Sequence, residues 1–98
     1  MPRTNVSLET VYALDEPKKY KVILHNDHYT SMDFVIHVLM NIFRKNAIEA
    51  QEIMLQIHEK GKGICGVYTH EIAQTKVAQV SKLAKQNSFP LLATIEEE

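Results

Sequence analysis

The apolar residues of this 98-residue chain change their spacing repeatedly, and that alternation of period limits the folds open to it. YKVIL, Tyr20 to Leu24, has the two-residue alternation of a strand, with Val22 and Leu24 on one face and Lys21 and Ile23 on the other. Val35, Val38, Leu39, Ile42 and Phe43 then recur at intervals of three and four, as one buried helix face requires. Thr30 with Asp33 predicts a capping box at the start of that helix. Asn46 with Glu49 predicts a second helix, which carries Ala50, Ile53, Met54, Ile57 and His58 on one side and ends at Gly61. GICGVY, residues 63–68, reads as a second strand in which Gly63 and Gly66 suit a bulge or a closely packed neighbour. Thr69 predicts the cap of a third helix, with Ala73, Val77, Val80 and Ala84 inward and Glu71, Gln74, Lys76 and Lys82 in solvent. PLLATI, after Pro90, closes the chain as a strand. The order β-α-α-β-α-β predicts an α+β domain, a small three-stranded antiparallel sheet with three helices packed on one face.

The length suits one core domain, residues 20–98, preceded by a flexible tail over residues 1–19, where apolar residues are isolated and Pro17 and two lysines close the segment. A formal net charge of -1 argues against a general nucleic-acid binder, which needs a basic excess to track phosphates. No apolar run approaches a bilayer span and no secretory leader pattern is present, so a cytoplasmic protein is expected. A lone Cys65 fits a reducing compartment. A monomer is expected, on the reasoning that packing three helices on a sheet leaves no apolar surface stripe.

The polar knot HNDHYTS, between the first strand and first helix, has two readings. Oxygens of Asn26, Asp27 and Thr30 can satisfy the free amides of a helix start. The same residues can instead face a cleft as acceptors for a primary ammonium, which presents three donors and no acceptor. His58, at the edge of the second helix's apolar stripe, can add an unprotonated nitrogen. Met32, Val35 and Met54 are either core or an adaptable apolar pocket. His25 and His28 around Asp27 are possible metal ligands, but no third ligand recurs at a recognisable spacing, so no metal or other cofactor is expected. Cys65 with His58 or His70 is a thiol–base pair only on paper, because the cysteine lies in an apolar strand.

YKVILHNDHYTSMDFV, IMLQIHEKGKGICGVYTHEIAQTKVAQV and FPLLATIEEE resemble the ClpS adaptor family of the bacterial ATP-dependent Clp protease, in the same order and spacing from Tyr20 to the C-terminus. The resemblance implies an adaptor without enzymatic activity. It would select proteins with a destabilising N-terminal residue, chiefly Leu, Phe, Tyr or Trp, and deliver them to the N-terminal domain of a ClpA-type unfoldase. Carried over by position, Asn26, Asp27, His28 and His58 would hold the substrate α-amino group. Thr30, Met32, Val35, Met54, Ile57 and Leu91 would line the pocket for its first side chain, Met32 excluding β-branched residues. Glu71 and Lys76 would dock on the unfoldase, and the tail would serve hand-off. Two positions depart from the family pattern: His28 stands where a second acidic residue is usual, and Ser31 where proline is usual. A neutral imidazole accepts one hydrogen bond without supplying negative charge, and a protonated one repels an ammonium.

Overall fold

A computed structural model describes residues 17–98, and the expected tail falls mostly outside them. Strand β1 (Lys19–His25) is followed by α1 (Met32–Asn41), α2 (Ala47–Lys60), β2 (Lys62–Thr69), α3 (His70–Gln86) and β3 (Leu92–Glu97). The sheet order is β2-β1-β3 and both pairings are antiparallel. This is the expected α+β arrangement, with α3 carrying the chain across from one sheet edge to the other.

Its central position explains one strand reading that alternation could not supply. Val22 and Leu24 are fully buried beneath the helices. Ile23, on the opposite face, is nearly as buried, because Ile64 and Thr94 flank it on the neighbouring strands. The core joins these strands to Phe34, Val35, Val38 and Leu39 of α1, Ala50, Met54 and Ile57 of α2, and Ala73, Val80 and Ala84 of α3. The open sheet face nevertheless leaves Ile64 and Leu92 about half exposed, at 47% and 56%, so the premise that no apolar surface remains does not hold.

The signals bounding α2 act as the sequence predicts. Asn46 accepts from the Glu49 amide at 2.8 Å while the Glu49 carboxylate accepts from the Asn46 amide at 3.1 Å, a reciprocal capping box. Gly61 ends the helix at φ 90°, a left-handed conformation that an L side chain strains to adopt. A side chain at Gly63 would bring its Cβ to 2.8 Å from Ile57 Cγ1, so this glycine lets α2 lie directly on the sheet. The pairing of β1 with β2 skips one residue at Cys65, which is the bulge.

Two predicted caps differ. The N-cap of α1 is Ser31, whose hydroxyl accepts from the Phe34 amide at 3.1 Å, and not Thr30 paired with Asp33. Thr30 is turned back toward Asp27 instead. Thr69 occupies the N-cap position of α3, but its side chain makes no capping bond.

Candidate functional site

The end of β1 is fastened to the end of α2. The Asn26 amide donates to the Gly61 carbonyl at 2.8 Å, which sets the β1–α1 loop beside the last turn of α2, where His58 lies. Between the loop, the start of α1 and this face of α2 is a cavity of about 400 Å³. Asn26, Asp27, His28 and His58 stand on its polar side, and Met32, Val35, Met54 and Ile57 supply apolar wall. That volume lies at the small end of the roughly 300–1,000 Å³ usual for ligand sites. It suits one side chain and its backbone more than an extended ligand.

Asp27 organises the loop. Its Oδ1 accepts from the amides of Tyr29 at 2.8 Å and Thr30 at 2.6 Å, and its Oδ2 accepts from the Thr30 hydroxyl at 2.7 Å. Partial burial raises the Asp27 carboxyl, but the Thr30 and Tyr29 hydrogen bonds together with the nearby His28 outweigh it and hold the carboxyl below its ordinary value. Asp27 therefore carries a fixed negative charge whose oxygens are engaged within the loop. Among the described residues, the Asn26 carboxamide and the imidazoles of His28 and His58 make no such bond, which leaves them to face the cavity. The cap reading and the cleft reading of the knot thus divide by residue: Asp27, Thr30 and Ser31 build the turn and the helix start, while Asn26 and His28 remain open.

The apolar side is graded. Val35, Met54 and Ile57 are buried and form a fixed floor, whereas Met32 is 46% exposed at the mouth. Tyr29 and Ser31 also line the cavity. Neither is expected as a site residue from the sequence, although both lie inside the polar knot whose length wraps the opening. Leu91, carried to this wall by the resemblance, is instead buried in the core and is absent from the lining.

Glu71 is exposed in the first turn of α3. Lys76, one turn further on, is not in free solvent as its helical position predicts. Its ammonium donates to the Ile42 carbonyl at the C-terminus of α1, 2.7 Å away, and lies 5.8 Å from the centre of the Tyr68 ring. The α1 helix ends at Ile42 with an orphan carbonyl, and a cation is what such a terminus attracts.

The rival chemistries lack their geometry. His25 and His28 do not converge: the His25 Nε2 lies 2.7 Å from Thr94 Oγ1 on β3, whereas His28 faces the cavity. The Cys65 thiol is fully buried, and burial pushes its pKa up to about 12, so it is neither accessible nor ionised at neutral pH.

A family model described as ATP-dependent Clp protease adaptor protein ClpS matches residues 15–94. The ClpS adapter protein of Acetivibrio thermocellus is 51% identical over 98% of this chain and 97% of its own length. That of Shewanella piezotolerans is 61% identical over 86% of this chain and 82% of its own. The solved structure of Agrobacterium tumefaciens ClpS2 bound to L-phenylalaninamide superposes with a TM-score of 0.82 at 38% identity, covering 85% of this chain and all of that one. With the family matched across most of its length and the fold shared, this chain belongs to the ClpS family, the adaptors of the ATP-dependent Clp protease, and is not a catalytic enzyme.

Proposed function

We propose that the cavity takes the N-terminal residue of a substrate protein, with Asn26 and His58 accepting from its free α-amino group and the Met32–Val35–Met54–Ile57 wall receiving its side chain. The carrying observation is the pairing of a one-residue apolar cavity with uncommitted acceptors at its rim. The similar ClpS2 protein holds L-phenylalaninamide, a free amine beside an apolar side chain, which supports the same ligand chemistry here. Burying one such side chain contributes roughly 1.5–3 kcal/mol, too little alone for selective binding. Charge-assisted hydrogen bonds to the ammonium supply the rest, roughly twice as strong as neutral ones. Asp27 adds attraction at short range without giving up its loop bonds.

Leu, Phe, Tyr and Trp are the first residues that fit the apolar wall, and Met32 at the mouth crowds a side chain branched at Cβ. Bound proteins would be delivered to a ClpA-type unfoldase in the cytoplasm, with exposed Glu71 in the docking surface. The test is fluorescence anisotropy of a labelled ten-residue peptide beginning with Phe, set against its N-acetylated and Val-initiated forms. Acetylation removes the charge and its donors, so saturable binding is expected only for the free Phe peptide. Superimposable curves for the free and acetylated peptides would overturn amine recognition.

A further inference from the structure

We propose that Met32 is a site of reversible oxidation by peroxides, and that its sulfoxide weakens the cavity's hold on a substrate's first side chain; this rests on the N-terminal-residue reading of the cavity. The three methionines among the described residues stand in different surroundings. Met54 is buried in the cavity floor at 9% exposure, whereas Met32 stands 46% exposed at the mouth. Met40 is 39% exposed near the other end of α1, about 12 Å further along the helix axis, and does not line the cavity. Cys65, the other oxidisable sulfur, is buried and un-ionised at neutral pH, so a peroxide finds neither an open path nor a thiolate there. A peroxide in solvent therefore reaches one sulfur of the cavity and leaves its floor intact.

The oxidation changes what the wall offers. A lone pair of the Met32 sulfur attacks a peroxide oxygen, the O–O bond breaks and an S–O bond forms. The sulfur is oxidised by two electrons, and the peroxide is reduced to water or an alcohol. A flexible apolar side chain becomes a polar one that carries a strong acceptor. Val35, Met54 and Ile57, which complete the apolar wall, have no hydrogen-bond donor in their side chains. An apolar first side chain seating against them would strip water from the sulfoxide oxygen without replacing its hydrogen bonds. Turned outward, the sulfoxide keeps its water, but the mouth then loses its apolar edge. Either position weakens the ligand. The same exposure leaves the side chain open to the reductases that return a sulfoxide to the thioether.

The experiment treats the wild type, Met32→Leu and Met40→Leu with hydrogen peroxide, removes the peroxide, and locates sulfoxides by tandem mass spectrometry. Leucine keeps the approximate volume of methionine and lacks the sulfur. Each protein, before and after treatment, is titrated into labelled peptides beginning with free or N-acetylated Phe. Sulfoxide should appear at Met32 and Met40 ahead of Met54. Stripping water from an unpaired polar group lowers affinity by about 5- to 100-fold, and the half-exposed mouth places Met32 near the lower end, at about 5- to 20-fold for the free Phe peptide. Met40→Leu should show the same loss, and Met32→Leu should keep its own untreated affinity. Methionine sulfoxide reductases of both epimer specificities, added together, should restore the wild type. Unchanged affinity with Met32 oxidised, an equal loss in Met32→Leu, or oxidation of Met54 ahead of Met32 would overturn the modification site while leaving amine recognition intact. Failure of the untreated wild type to bind the free Phe peptide, or equal binding of the acetylated one, would overturn both.

Discussion

Replacing Lys76 with methionine separates a structural role from a docking role, because methionine keeps most of the apolar stem and deletes only the ammonium. That ammonium donates at 2.7 Å to the Ile42 carbonyl, and Ile42 itself is only 8% exposed. A hydrogen bond to a charged group is worth about 1.5–3 kcal/mol, and partial exposure of Lys76 places this one near the lower end. The contact with the Tyr68 ring adds about 0.5 kcal/mol. A loss of about 1.5–2.5 kcal/mol follows, and in a domain of this size each kcal/mol lowers the melting temperature by about 4–8 °C. Lys76→Met should therefore melt roughly 6–20 °C below the wild type in calorimetry or circular dichroism. Lys82→Met on the same helix is the control, since Lys82 is exposed and such surface changes stay within about 0.5 kcal/mol. Melting of the two variants at the same temperature would refute the clamp. If the clamp holds, weakened unfoldase binding by a Lys76 variant reports on the seating of α1 as well as on the interface, and Glu71→Ala is the cleaner probe of docking.

Two further outcomes follow from the same geometry. Gly61→Ala meets no atom within 4 Å, so its cost is conformational, about 1 kcal/mol from the positive φ, readable as a lower urea midpoint; an unchanged midpoint would contradict it. The Asp27 carboxyl is held below its ordinary value by its Thr30 and Tyr29 hydrogen bonds, so its contribution is complete above that ordinary value, about 3.9, and is lost as pH falls through the lower folded-state one. The stability advantage of the wild type over Asp27→Asn should thus be larger at about pH 6 than at about pH 2, and equal differences would count against it.

Much of the fold was legible because its punctuation is local. Asn46 with Glu49, and Gly61 at a positive φ, act within one turn of the chain, so their spacing alone announces them. The candidate site's lining was legible for a related reason: most of it comes from one stretch of chain, Asn26 to Met32 with Val35, and the rest from a single face of α2. What could not be read depends on partners distant in sequence or on competition between near-equivalent groups. Lys76 looks solvated from its helical position, and only the tertiary packing of α3 on the end of α1 reveals the Ile42 carbonyl 34 residues away. Asp27, Thr30 and Ser31 are all capable of capping α1; Asp27 claims Thr30 for its own turn, which passes the cap to Ser31. Ile23 is buried on the open sheet face because β1 is central, a fact no single strand discloses.

Recognition as proposed requires a free amine and an apolar side chain to enter together between the β1–α1 loop and α2. Amide chemical-shift mapping with L-phenylalaninamide and with its N-acetyl counterpart tests this most directly. Saturable shifts confined to residues 26–35 and 54–58 with the free amine, and nearly absent with the acetylated compound, are the predicted result. Shifts centred on the open sheet face, around Ile64 and Leu92, or an equal response to both compounds, would contradict it.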